Sequence, residues 1–234
     1  MRLPARRFLR AVWQQLRYHR ALLLLLVLGI GLPWFIFLNI AEDIWESGGF
    51  WGDQTIMRFW HAHATPALDR LALALSYLGG PLNMTLLSGG IGAALFLTHR
   101  RLAARFFALA IGGAVFLNLS AKAFFGRARP SLWASIAPET SFSFPSGHAM
   151  GAAALAAALT FLFWPTRWRW MALALTVLFA LGVGWSRMYL GVHYPSDVVA
   201  GWVVSVGWVG GVHLFFSPAY HQLRQWVWQV ISSR

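Results

Sequence analysis

Apolar runs long enough to cross a bilayer constrain this chain more than any other feature. A membrane-spanning helix needs about 20 predominantly apolar residues, with a range of roughly 17–25. Backbone polar groups in hydrocarbon must be satisfied within their own segment, so such runs fold as helices. Six are legible, at about 21–41, 71–98, 102–121, 148–164, 170–186 and 196–216. The Gly79-Gly80-Pro81 step is expected to bend or shorten the second. The expected fold is therefore all-α, a six-transmembrane-helix bundle that uses residues 21–216. Composition agrees: 58% of the 234 residues are hydrophobic and 11% are charged, against about a quarter charged in soluble domains. The absence of cysteine excludes disulfides, thiol catalysis and cysteine metal sites.

The net charge of +12 would suit a nucleic-acid partner if it formed a stripe interleaved with aromatics. It does not. Of 19 basic residues 18 are arginine, and many flank the apolar runs, so no nucleic acid is expected as a partner. Residues 1–20 form a basic arm, 42–70 a more polar outer segment that could lie at the interface or pack as a loop, and 217–234 a polar tail. The run after the arm is too long for a signal h-region and lacks a clear cleavage site, so it reads as a retained span. Six spans place both termini on one side. The segments on that side then hold 13 of the 19 basic residues and none of the seven acids. The positive-inside rule makes that side cytoplasmic.

Three segments carry polar residues where apolar ones are expected. In Lys122-Ala-Phe-Phe-Gly-Arg-Ala-Arg129-Pro130 the only lysine of the chain and an arginine can converge on one anion. Alone, they would read as snorkelling cations at a helix end. In Pro145-Ser146-Gly147-His148 the serine suits a helix N-cap, and the helix N-terminus that follows can bind an anion. In Ser186-Arg187…His193-Tyr-Pro195-Ser-Asp197 the proline suits the first turn of a helix, and Asp197 can reach back to His193 four residues earlier. A carboxylate on one imidazole nitrogen fixes the tautomer and leaves the other free to attack. Each segment has an ordinary structural explanation by itself. The six-span topology brings all three to the outer face, where they form an anion site with an acid–base pair.

The ordered pattern Lys-x6-Arg-Pro, Pro-Ser-Gly-His and Ser-Arg-x5-His-x3-Asp resembles the type 2 phosphatidic acid phosphatase (PAP2) superfamily. All three motifs match in residue type and spacing; they cover about 25 residues directly. The resemblance implies a bacterial cytoplasmic (inner) membrane phosphatase acting on a lipid phosphate in the bilayer, with cytoplasmic termini and an outward-facing site. It implies His193 as nucleophile forming a phosphohistidine, Asp197 as its orienting acid and His148 as general acid and base. Lys122, Arg129, Arg187, Ser146 and the Gly147 N–H would bind the phosphoryl group. These donors meet the charge that Mg²⁺ meets elsewhere, so no cofactor and no metal are expected.

Among similar enzymes the substrates include undecaprenyl diphosphate, phosphatidylglycerophosphate and phosphatidic acid. An outer-face site favours the first. A phosphotransferase would use the same intermediate with a different acceptor. A vanadate haloperoxidase has a similar site but is soluble, and a lipid-binding protein without chemistry would need cations but no nucleophile beside a carboxylate. Arg127 is expected to support its loop, Glu139 and Trp133 to shape the mouth of the site, and His61 and His63 to bind no metal for want of a third ligand.

Overall fold

The computed structural model describes residues 23–217, so the basic arm at 1–20 and nearly all of the tail at 217–234 lie outside the described residues. All regular structure among the described residues is helical. We label the helices α1 (Leu25–Ser47), α2 (Asp53–Ala62), α3 (Pro66–Leu78), α4 (Pro81–Leu97), α5 (Arg101–Phe125), α6 (Gly147–Phe163), α7 (Arg169–Tyr189) and α8 (Pro195–Phe216). Four of them, α1, α5, α7 and α8, are each long and apolar enough to cross a bilayer. The pair α3 and α4 supplies a further crossing bent by 48°. The 17-residue α6 is apolar but shorter. The expected six-span bundle therefore holds approximately, with one broken span and one short one.

Helix ends depart from the apolar runs where capping, not hydropathy, decides. α1 continues past Ala41 because Glu42, Asp43 and Glu46 lie exposed on its outer turns, and it stops where Gly48 takes a left-handed φ of 79°. Its first turns, Leu25–Gly31, have π-helical bonding. Pro33, just beyond, has no N–H to continue the ordinary ladder. The second span begins at Pro66 rather than Leu71, because Pro66 occupies the first turn and Thr65 caps it by accepting from the Leu68 N–H at 3.3 Å. It breaks at Gly79-Gly80-Pro81, as the sequence suggests. α5 runs four residues beyond its expected end, so the 42–70 and 122–147 segments are partly helical rather than simple loops.

α6 and α8 form the centre of the bundle. α6 buries Ala149, Ala152, Ala153, Ala154, Ala156 and Ala158, and these small side chains admit close approach of α7, α8 and α5. α8 buries Gly201, Gly207 and Gly210 along with its valines. A Cβ at Gly201 would come 3.0 Å from the Ser146 carbonyl oxygen, so this contact sets how deeply the start of α6 sits against α8. The outward faces of α1, α4, α5 and α7 expose large apolar residues such as Phe35, Leu86, Phe116 and Leu178. In water such a belt would be an aggregation liability; facing lipid it is the expected solvent contact. The protein is an integral membrane protein.

The chain alternates through this bundle so that the ends of α1, α5 and α7 and the starts of α6 and α8 share one pole. All seven acids lie there. Arg100, Arg101, Arg167 and Arg169 lie in the turns at the opposite pole.

Candidate active site

The acid-rich pole is built from three connections. α5 ends at Gly126, whose φ of 57° suits glycine and whose N–H closes back on the Lys122 carbonyl. Lys122 therefore stands on the last helical turn, while Arg129 lies beyond the helix in an extended loop. The two cations do not share a helix face; they meet because both bond Ser141. Lys122 Nζ donates to its hydroxyl at 3.0 Å, and Arg129 donates through Nη2 to the hydroxyl at 3.0 Å and through Nε to the carbonyl at 2.6 Å.

His193 sits in the turn between α7 and α8 and is completely buried. Pro195 occupies the first turn of α8 as expected. Asp197 follows at the third helical position and accepts the Tyr194 N–H at 2.9 Å through Oδ2. The same oxygen lies 3.4 Å from His193 Nδ1 and accepts the Ser143 hydroxyl in a short hydrogen bond. Ser143 Oγ is itself 3.4 Å from Nδ1. The ring is thus held on its Nδ1 side, and its Nε2 faces Arg129 Nη1 at 3.2 Å. That guanidinium nitrogen also donates to the Val192 carbonyl at 2.7 Å. Burial pushes the His193 pKa down to about 4; the bond to Asp197 and its charge oppose this, and Arg129 and Arg187 add to it. The imidazole is neutral at physiological pH, with a lone pair on Nε2.

Asp197 has a second line of support. Arg127 Nη1 donates to its Oδ1 at 2.5 Å. Arg127 Nη2 donates to Asp53 Oδ2 at 3.0 Å and to the Gly48 carbonyl at 2.9 Å. Asp53 also accepts the Ser196 N–H at 2.9 Å and its hydroxyl at 2.5 Å. The guanidinium lies over the Tyr194 ring, 4.1 Å from its centroid. Gly49, at φ 142°, leaves the room this needs: a Cβ there would fall 1.9 Å from Arg127 Nη2. Arg127, expected to support its own loop, instead places its guanidinium on Asp197, Asp53 and the Gly48 carbonyl and so braces the carboxylate network.

Ser146 stands at the N-cap position of α6 yet makes no side-chain cap bond, contrary to the expected role of its hydroxyl. Its Oγ is buried without a hydrogen-bond partner, while its N–H donates to the Asp197 carbonyl at 3.1 Å. Gly147 follows, with Asn118 Oδ1 3.0 Å from where a Cβ would be. Asn118 Nδ2 donates to the Pro145 carbonyl at 3.0 Å, fixing the turn that aims the first N–H groups of α6.

His148 Nδ1 lies 3.9 Å from Glu139 Oε1. The same carboxyl accepts Arg129 Nη2 at 2.6 Å and Arg187 Nη2 in a short contact. Arg187, buried, also donates to Ser76. Burial works to raise the Glu139 pKa, but Arg187 and then Arg129 outweigh it, so the carboxylate is held below its ordinary range and is charged at neutral pH.

Lys122, Asn118, Glu139, Gly147, His148 and His193 open onto one cavity of about 590 Å³ that continues between α4, α5 and α6 along apolar side chains including Met84, Val115 and Leu119. Every residue singled out from the three motifs is therefore gathered at one pole. Sequence reasoning assigned no role to Ser143, Asn118, Ser141, Ser196 or Asp53. Ser143 stands two residues before Pro145 and Ser196 lies between Pro195 and Asp197, so these two were within sight of a motif. Trp133, expected at the mouth, packs over Gly191 and stacks on His61 at 4.1 Å, and His63 Nδ1 lies 2.8 Å from the Phe59 carbonyl.

The chain is 29% identical over 185 residues to phosphatidylglycerophosphatase B of Bacillus subtilis, covering 77% of this chain and 88% of that protein. It is 40% identical over 70 residues to an undecaprenyl-diphosphatase of Sulfolobus acidocaldarius, covering 30% of this chain and 31% of that one. The crystal structure of a transmembrane PAP2-type phosphatidylglycerolphosphate phosphatase from Bacillus subtilis superposes with a TM-score of 0.71 at 29% identity, covering 78% of this chain and 93% of that one. The family model described as PAP2 superfamily matches residues 103–220, just over half of the sequence and all three motifs. With its helical bundle and its pole of histidines and cations, the chain belongs to the PAP2 superfamily of membrane lipid phosphatases.

Proposed function

We propose that this phosphatase hydrolyses a lipid phosphate through a phosphohistidine on His193, without a metal ion. The observation that carries the reading is the position of His193: neutral, held on its Nδ1 side by Asp197 and Ser143, with Nε2 facing the cations at the end of an apolar-walled cavity. The Nε2 lone pair attacks the terminal phosphorus, and its bond to the oxygen on the lipid side (the ester oxygen of a monophosphate, the bridging oxygen of a diphosphate) breaks. His148 gives that oxygen a proton. Water then attacks the phosphohistidine, His148 takes its proton, and orthophosphate leaves with His193 restored. Lys122, Arg129, Arg187, the Ser146 hydroxyl and the Gly147 N–H bind the equatorial oxygens, where charge stabilisation and positioning dominate phosphoryl transfer.

The apolar walls of the cavity suit a hydrocarbon chain entering from the bilayer, so the substrate is a lipid. The bundle lies with the acid-rich pole outside and both termini in the cytoplasm, by the distribution of arginines between the poles. In a bacterial inner membrane an outward site favours undecaprenyl diphosphate as substrate. Phosphatidylglycerophosphate is the second reading, favoured by the length of the match to a protein named for it.

The test is phosphate release in detergent from a panel of lipid mono- and diphosphates, with and without EDTA. Turnover is expected with EDTA present, and His193→Ala is expected to lose it by three orders of magnitude or more while remaining monodisperse. Rapid quench should trap acid-labile phosphate on the wild-type chain. Turnover by His193→Ala, or a requirement for added Mg²⁺, would refute the mechanism.

A further inference from the structure

Glu139 is the one acid that sits among the cations of the site rather than behind the histidines. Its two oxygens take two guanidinium groups, Oε2 from Arg129 at 2.6 Å and Oε1 from Arg187 in a short contact, with His148 Nδ1 3.9 Å from Oε1. It comes from the loop between α5 and α6, not from a helix, and its side chain keeps 28% exposure, so it can leave. Arg187 and Ser76 are buried behind it, and Asp197, the other acid of the site, is fully buried and already has Arg127, Ser143 and the Tyr194 N–H as partners.

A carboxylate bridging two guanidinium groups presents two anionic oxygens much as a phosphoryl group does. The arrangement also leaves one guanidinium nitrogen of Arg129 on His193 Nε2, where an incoming phosphorus must arrive. We propose that Glu139 is an internal phosphate surrogate: it occupies the phosphoryl cradle when no substrate is bound, and the substrate phosphate displaces it. The proposal deepens the phosphatase reading and rests on it. Two consequences follow from competition for the same donors. Glu139 keeps Arg129 and Arg187 paired and pre-oriented when the cradle holds no substrate, which an unpaired buried cation would resist. It also weakens the binding of orthophosphate, because the tethered carboxylate returns at high effective concentration and helps expel the product. A phosphate ester wins entry through its third oxygen, its larger charge and the lipid chain in the cavity, none of which the carboxylate offers.

Orthophosphate binding to the full-length protein in dodecyl maltoside, measured by titration calorimetry, tests this. Glu139→Gln and Glu139→Ala are expected to lower the Kd for orthophosphate at least tenfold. Glu46→Gln, which removes an exposed acid at the same pole, is the control for net charge and should stay within twofold of wild type. Either Glu139 variant suffices if the other does not fold. An unchanged or weaker Kd in the Glu139 variants would show that the carboxylate only scaffolds the arginines, and an equal shift in Glu46→Gln would show a general field effect; both overturn the proposal. Turnover by His193→Ala, read separately, would sink the phosphohistidine mechanism without touching this result.

Discussion

The nucleophile proposed at His193 must be neutral, oriented and open on one nitrogen, and burial meets the first need while its Nδ1 partners meet the second. Complete burial expels the charged form, while Asp197 and Ser143 fix the ring without being close enough to reverse that effect. The same burial has a consequence for stability. The native imidazole titrates near 4 and the unfolded one near 6.5, so between these values the unfolded chain binds a proton that the native chain does not. Stability from this residue is present in full above pH 6.5 and is lost as pH falls toward 4, by on the order of 3 kcal/mol. Thermal unfolding in micelles should therefore show a steeper loss between pH 6.5 and 4.5 for the wild type than for His193→Ala. Parallel pH profiles would contradict a buried neutral histidine.

At the scale of elements, α2 does more than cover the bundle. It brings Asp53 to Arg127 and Ser196, 74 and 143 residues away in sequence, and so braces Asp197 from behind. Asp53→Asn keeps the shape but removes one of the two carboxylates on Arg127, the other being Asp197; a hydrogen bond to a charged group contributes about 1.5–3 kcal/mol. We expect a lower unfolding temperature and a turnover reduced about 10- to 100-fold, with KM for a short-chain substrate nearly unchanged because Asp53 does not reach the phosphate cradle. A changed KM with unchanged turnover would place Asp53 in substrate binding instead. This element also marks where sequence reading stops. Lys122 to Pro130, Pro145 to His148 and Arg187 to Asp197 were legible because each keeps its chemistry within about a dozen residues of chain. Asp53 has no local spacing that announces it; Ser196 sits inside the third motif, and Ser143 and Glu139 in the loop beside the second, but local sequence does not show which partners they meet. Hydropathy likewise located the spans but not their ends. Gly48 and Gly126 terminate helices outside the apolar runs, through left-handed backbone that an apolar average does not sense.

For the whole molecule the asymmetry of charge between the poles predicts orientation. The chain has no cysteine, so single cysteines report accessibility without background. In intact cells Gln54→Cys, exposed at the acid-rich pole, should react with a membrane-impermeant maleimide, and Thr166→Cys, exposed in the turn after α6, should react only after permeabilisation. The reverse pattern would invert the protein and move its chemistry to the cytoplasm.

The cavity that ends at His193 continues between α4, α5 and α6 along apolar walls. An enzyme entered from that side meets its substrate by diffusion in a plane rather than in a volume. What saturates it is then the mole fraction of lipid phosphate among its neighbours, so inert lipid or detergent acts as a diluent even when the amount of substrate in the tube is constant.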